Sequence, residues 1–317
     1  MPIYIELPIQ KTTSKLTDWL EINALLDADG SVSAQDLRYN LDKEEEAEDD
    51  QIEETTLDQI VSQVFAEIDK RQRATKDKYP FRIVNGDKIV KKPGYVKFLP
   101  YIFCLLISYF GPEKKEYSSD WKTGKMSKKF EELSANAIRA LLTSKKWKVK
   151  IRIFGYPRKW KGQSTNPRFS NALQSICDEC GEMRSKGRVN ASNAKDGGLD
   201  IIAWKRFPDQ LQGCIVFAGQ CAIGKDWKQK KYDVKDFFDW FVDDATMNIR
   251  GIFIPHIPDV DTRENKEEWM RITTMGGIIF NRCRISFLSE NWRDDSIKKL
   301  YKNVLREIKI QSRKLFV

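Results

Sequence analysis

Leu16 to Leu26 and Leu57 to Arg71 carry apolar residues at helical spacing, with Ile60, Val64, Phe65 and Ile68 forming one stripe in the second stretch. Phe81 to Val90 reads as a short hairpin about Asn85-Gly86, and a helix is expected from about Tyr95 to Tyr109, closed by Gly111-Pro112. Further on, Phe130, Leu133, Ala137, Ile138, Leu141 and Leu142 fall on one helical face. A strand from Lys148 to Phe154, a Pro/Lys/Gly-rich loop to Pro167 and a helix from Phe169 to Glu182 follow, the last with Leu173, Ile176, Cys177 and Cys180 inward. The apolar runs Ile201 to Phe207 and Gly213 to Gln220 predict a buried hairpin. Val234 to Phe241 predicts an aromatic-rich helix, Gly251 to Ile257 and Gly276 to Leu288 predict strands, and Ile297 to Ile308 predicts a basic amphipathic helix. Strands interleaved with helices indicate an α/β fold whose sheet is covered on both faces. The expected division is a mainly helical region over 1–115 and an α/β domain over 116–317.

Charge sharpens this division. Residues 1 to 70 hold 5 Lys+Arg against 18 Asp+Glu, net −13, and the remainder holds 50 against 28, net +22. A body so basic suits a polyanion, because each cation set on a phosphate releases a condensed counterion. The acidic run from Glu44 to Asp50, with Glu53 and Glu54, reads as a solvated link, with shielding of the basic part or docking of a basic partner as the sharper alternative. Asp27-Ala28-Asp29-Gly30-Ser31 reads as a turn, since its glycine falls too early for a calcium loop and no glutamate closes it.

No run reaches the roughly 18 to 20 apolar residues that a membrane span requires, and the Phe98 to Phe110 stretch is read as a buried helix. The first residues do not resemble a secretory leader, so a cytoplasmic location is expected. Cys177 and Cys180 form a CxxC, but no second pair completes a zinc set. His256 is the only histidine, which excludes histidine-dependent nucleases, zinc hydrolases and Ser-His-Asp hydrolases. Catalysis, if present, falls to carboxylates and lysines.

Asp196-Gly197-Gly198-Leu199-Asp200 leads into the first strand of the hairpin. If the strands pair about a turn near residue 210, Asp200 stands opposite Gln220, with Cβ atoms roughly 4.5 to 5.5 Å apart. One carboxylate, one amide oxygen and a backbone carbonyl such as that of Cys221 suit Mg²⁺, which takes hard oxygen ligands. Asp196 reads as a turn residue.

On Gly197, Gly198, Asp200 and the spacing to Gln220, residues 126 to 290 resemble the PD-(D/E)XK nuclease superfamily, nearest its Mrr-like restriction branch. The resemblance implies a restriction-endonuclease-like mixed sheet flanked by helices, an Asp200 metal ligand with Gln220 beside it, and Mg²⁺ or Mn²⁺ as cofactor. The family's lysine, two residues past Gln220, is Ala222 here, so Lys225 or Lys228 is the expected replacement. The family also places a glutamate on a preceding helix, for which Glu131 and Glu132, or Glu179 and Glu182, are the candidates.

Lys228, Lys230 and Lys231 around Trp227, and Arg158 and Lys159 in the loop Tyr156 to Gly162, are the expected nucleic-acid contacts. Lys145-Lys146-Trp147-Lys148 and the lysines after residue 297 read as the charged outer faces of their elements. The resemblance thus implies a DNA endonuclease, the effector of a prokaryotic restriction or antiphage system with partner subunits, its acidic N-terminal region serving control or assembly. The alternative is an inactive nuclease-like subunit that binds DNA or scaffolds a defence or repair complex. Phosphate contacts alone leave RNA open as the substrate.

Overall fold

The computed structural model describes residues 5–48, 54–111, 125–155, 169–181, 198–209, 211, 213–224, 226–230 and 247–289, with 292, 295, 298, 299, 302, 303 and 306 beyond them. The order begins α1 (Thr13–Leu26), β1 (Ser31–Ser33), α2 (Ala34–Glu48), α3 (Glu54–Thr75), β2 (Phe81–Val84), β3 (Lys88–Lys91) and α4 (Leu99–Phe110). It continues with α5 (Lys125–Leu142), β4 (Lys150–Ile153), α6 (Phe169–Cys180), β5 (Ile201–Lys205), β6 (Ile215–Cys221) and β7 (Met247–Phe253). It then runs through α7 (Arg263–Gly276), β8 (Ile278–Phe280) and α8 (Arg282–Leu288). The fold is mixed α/β, with two sheets among the described residues. No described helix is long and apolar enough to cross a membrane.

Contacts divide the chain into two units, and not at a single point near residue 115. The first unit comprises Met1–Met126, Pro255–Asp259 and Arg282–Val317, and the second Ser127–Ile254 with Val260–Asn281. The second unit is therefore an insertion in the first.

In the first unit α1 is buried along its length from Leu16 to Leu26, and Thr12 caps it by accepting the Lys15 N–H. The hairpin of β2 and β3 turns at Asn85 and Gly86, both at positive φ (55° and 83°) as a type I′ turn requires, and β1 adds to its other edge. Asp27 closes the turn after α1, its Oδ2 accepting the N–H of Asp29 and of Ser31. The acidic run does not form a free link throughout. As far as Glu48 it is helical, in α2, which starts at a reciprocal cap between Ser33 and Asp36 and buries Leu37 and Leu41.

Seven polar side chains fill the centre of this unit. Arg282 meets Asp18 through two bonds of 2.8 Å, and Arg71 reaches Asp18 at 2.7 Å, Glu21 at 3.1 Å and Glu67 at 3.0 Å. Tyr79 and Tyr101 donate their hydroxyls to Glu21 at 2.7 and 2.8 Å. Burial pushes the Asp18 carboxyl up, but Arg282 and then Arg71 overcome it and hold the group well below its ordinary value. At Glu21 burial wins over both arginines, and the carboxyl is raised.

The second unit is built on a mixed sheet of order β4-β5-β6-β7-β8. β5 is antiparallel to both β4 and β6, and β6, β7 and β8 run parallel. One face packs Ile202, Trp204, Val216, Ala218 and Ile252 against Leu173, Ile176, Cys177 and Cys180 of α6 and Ile272 of α7. On strand alternation Phe217, Phe253 and Phe280 share the other face, where the last two rings stack 4.7 Å apart. Gly219 and Gly251 make room for them, since a Cβ on either would come within 2.8 Å of a ring atom.

The stretch from Gly276 to Leu288 is not one strand. β8 ends at Phe280 and the chain turns into α8, which buries Cys283 and Ile285 in the first unit. The expected helices at Val234–Phe241 and, for the most part, Ile297–Ile308 lie outside the described residues.

Candidate active site

The hairpin register is the one that the spacing predicts. Ile201 pairs with Gly219 and Lys205 with Ile215, so Asp200 comes to the position opposite Gln220. Asp200 sits just before β5, anchored by its N–H to the Gly219 carbonyl at 3.0 Å. Its own carbonyl receives the N–H of Phe154 at 2.7 Å and of Gly155 at 3.3 Å, which draws the end of β4 alongside.

Two carboxylates meet at Gly155. A Cβ placed there would stand 3.0 Å from both Glu131 oxygens and 3.1 Å from Asp200 Oδ1. The other Asp200 oxygen, Oδ2, accepts the Cys221 N–H at 2.7 Å, so the peptide at the end of β6 fixes the carboxylate's rotation. Glu131 comes from the buried face of α5, where Phe130, Leu133, Ser134 and Ile138 pack, and is itself 6% exposed. Lys128, one turn earlier on α5, bonds Glu131 Oε2 at 3.1 Å.

The Cys221 thiol shares this environment. Burial, and then the negative charges of Asp200 and Glu131, push it well above its ordinary value, while a Ser134 hydrogen bond and Lys128 pull the other way. It is therefore a neutral thiol, unsuited to attack as a thiolate.

Of the four candidate glutamates, the structure brings Glu131 to Asp200. Glu132 pairs with Lys129 in solvent at 2.7 Å, Glu179 pairs with Arg152 at 3.0 Å, and Glu182 lies outside the described residues. Gln220 is buried, on the alternation side of Ala218 and Ala222. Ala222 belongs to the apolar cluster, so a lysine at that position would have to thread an ammonium out of the core. Lys228 pairs with Glu268, and Lys230 is described close by in the turn that begins at the buried Trp227. Lys225, Lys231, Arg158 and Lys159 lie outside the described residues.

Lys128 was not singled out by the sequence, because a lysine three residues before a glutamate is an ordinary exposed helix pair. The signal that could have found it is the position of Glu131 in the apolar stripe, seven residues before Ile138, which draws any partner of that carboxylate to the sheet.

Among the described residues no group of three or more His, Cys, Asp or Glu side chains gathers as a ready-made metal cage. Mg²⁺ does not require one, since it keeps several waters and uses one or two carboxylates. The space over Gly155, faced by Asp200 Oδ1 and both Glu131 oxygens, fits that demand. No protein-family model matches the chain, and neither a curated protein nor a solved structure matches it.

Proposed function

We propose that the second unit is a metal-dependent nuclease of restriction-endonuclease-like fold that hydrolyses phosphodiester bonds in DNA. The observation that carries the reading is the convergence of Glu131 and Asp200, from different elements, on the space above Gly155. Glu131 and Asp200 would hold Mg²⁺ or Mn²⁺, with the Gln220 amide and the Cys221 carbonyl as further oxygen donors. When bound, the ion polarises the scissile phosphate and lowers the pKa of an attacking water.

The remaining work belongs to the chain's own groups. The Cys221 N–H keeps Asp200 Oδ2 occupied, so Oδ1 is presented toward Gly155 without a search over rotamers. Lys128 balances Glu131 at rest and is the described ammonium beside the carboxylates, in place to meet charge developing on a phosphate. It takes the part that Ala222 cannot. The sheet's apolar cluster keeps the strand ends rigid. A role as effector of a defence system, with partner subunits, is part of the same proposal.

Plasmid incubated with the full chain and Mg²⁺ or Mn²⁺ tests this. Cleavage is expected, with loss of at least about 100-fold in Asp200→Ala and in Glu131→Gln. Equal cleavage by wild type and both variants would remove the site. DNA binding without cutting by any of the three would favour the second reading, a scaffold subunit, to which the apolar setting of Ala222 lends weight.

A further inference from the structure

At the other end of β5 from Asp200, a second group of side chains gathers that the hydrolysis does not use. α5 ends at Leu142, and residues 143–149 return the chain to β4. The return is tight. Ser144 and Trp147 exchange backbone hydrogen bonds at 3.2 and 3.3 Å, and the Ser144 hydroxyl accepts the Trp147 N–H at 3.1 Å. Trp147 is thereby held over the end of β5, where its indole N–H bonds the Arg206 carbonyl at 3.0 Å.

Two further side chains fix that ring. The Lys205 ammonium sits 4.5 Å from the ring centroid, and Phe207 lies 4.7 Å from it at an interplanar angle of 41°. Lys205 is buried, whereas Phe207 is 46% exposed, so one aromatic face is offered to solvent by a braced neighbour. Lys145, Lys146 and Lys148 flank Trp147 in the sequence and Lys150 opens β4, and all four are exposed. Among the described residues none of these four has a carboxylate within ion-pair distance, although Lys11, Lys70, Lys78, Lys128, Lys129, Lys228 and Lys298 all do. The acid nearest in sequence to Phe207, Asp209, is occupied by the Leu211 N–H.

We infer that Trp147, Phe207 and the four lysines form a binding platform for single-stranded nucleic acid, with a base stacked on Phe207 and the backbone phosphates on Lys145, Lys146, Lys148 and Lys150. A pre-fixed ring costs little order on binding, and stacking tolerates any base because each has a π-face. Ammonium groups without a carboxylate partner meet phosphates without first breaking ion pairs. A duplex keeps its bases stacked internally and offers the ring nothing, so the platform distinguishes a single strand from a double one. The platform lies about 16 Å along β5 from Asp200, taking five strand residues at about 3.3 Å each. It extends the nuclease reading by naming the strandedness that this face accepts.

Fluorescence anisotropy with the full chain and a labelled 20-nucleotide oligothymidine, read in EDTA so that hydrolysis plays no part, tests the inference. Phe207→Ala is expected to weaken binding about 5-fold or more. Changing the four lysines to Gln should lower the slope of log K against log salt by about 2 to 3, at about 0.7 for each phosphate contact on a single strand. Lys88→Gln, an exposed lysine of the first unit, should bind as wild type. The inference fails if wild type does not bind, if both platform variants bind as wild type, or if only the lysine changes matter and duplex binds equally well. Plasmid cleavage unaffected by either platform variant would leave the nuclease reading standing without the platform. Oligothymidine binding that depends on the platform, with no cleavage by wild type in Mg²⁺, would do the reverse.

Discussion

Gly155 stands where any side chain would enter the space that two carboxylates share. Its backbone is not in the left-handed region, so alanine is conformationally acceptable there and its nearest conflicts are with the Glu131 and Asp200 oxygens, at 3.0 to 3.1 Å. Those side chains can yield by a few tenths of an ångström, which displaces both proposed metal donors without unfolding the sheet. Gly155→Ala is therefore expected to cut metal-dependent cleavage by about 10- to 100-fold with little change in melting temperature. A variant that cleaves as wild type would show that the space is not used. Asp200 was legible in the sequence because hairpin spacing fixes its partner by simple counting. The choice of Glu131 over Glu132 was not, because one residue on a helix is a 100° turn and only the packed sheet decides which side is inward.

At the scale of elements, α1, α3, α4 and α8 are joined through charge as well as through apolar contact. Asp18→Asn would leave Arg282 buried with its main counter-charge removed and Arg71 with one of its carboxylates gone, at a cost of about 3 to 5 kcal/mol. Glu21 carries a raised carboxyl and its amide replacement still accepts from Tyr79 and Tyr101, so Glu21→Gln should cost less than Asp18→Asn in urea unfolding at pH 7. The opposite order would contradict the assignment of charge. The pH dependence has a definite sign. The Asp18 contribution is complete above the ordinary 3.8 and is lost as the pH falls below it toward the depressed value of the folded state. The Glu21 contribution is complete below the ordinary 4.5 and is lost as the pH rises through its raised value. Going from pH 5 to pH 3, wild type should lose stability through Asp18, whereas Asp18→Asn should lose less, as urea midpoints at the two pH values will show.

These elements also show which patterns a chain discloses. α1, α3 and α4 carry long apolar stripes and were expected within a few residues of where they lie. α2 has Leu37 and Leu41 as its buried contacts in a strongly acidic stretch, and its start is set by the Ser33–Asp36 cap, a signal easily outweighed by the charge. α7 buries Ile272 and Gly276 and leaves Met270 65% exposed, so its periodicity is weak, and Thr262 marks its start by accepting the Asn265 N–H.

For the whole molecule, the decisive fact is that the first unit is closed by residues from the far end of the chain. Arg282 supplies two of the bonds to Asp18, and α8 buries Cys283 and Ile285 against α3 and α4. No local pattern announces this, because an arginine after a strand carries no mark of a partner 264 positions away. The acidic N-terminal region accordingly contributes to a core, since Leu16, Trp19, Leu20, Val64 and Ile68 are fully buried within it. Deleting residues 1 to 70 would remove α1, α2 and most of α3, so a change in cleavage after that deletion would read loss of the unit and not release of an inhibitor. The complementary experiment is cleaner. A chain ending at residue 126 keeps α1 to α4 but loses Arg282 and α8, which leaves Asp18 with Arg71 alone and uncovers apolar side chains of α3 and α4. A loss of about 3 to 5 kcal/mol from the charge cluster alone approaches the roughly 5 to 15 kcal/mol that holds a typical domain folded. The 1–126 chain is therefore expected to show no cooperative thermal transition and to bind a hydrophobic dye, and a sharp transition by circular dichroism would mean that the unit closes without its C-terminal return.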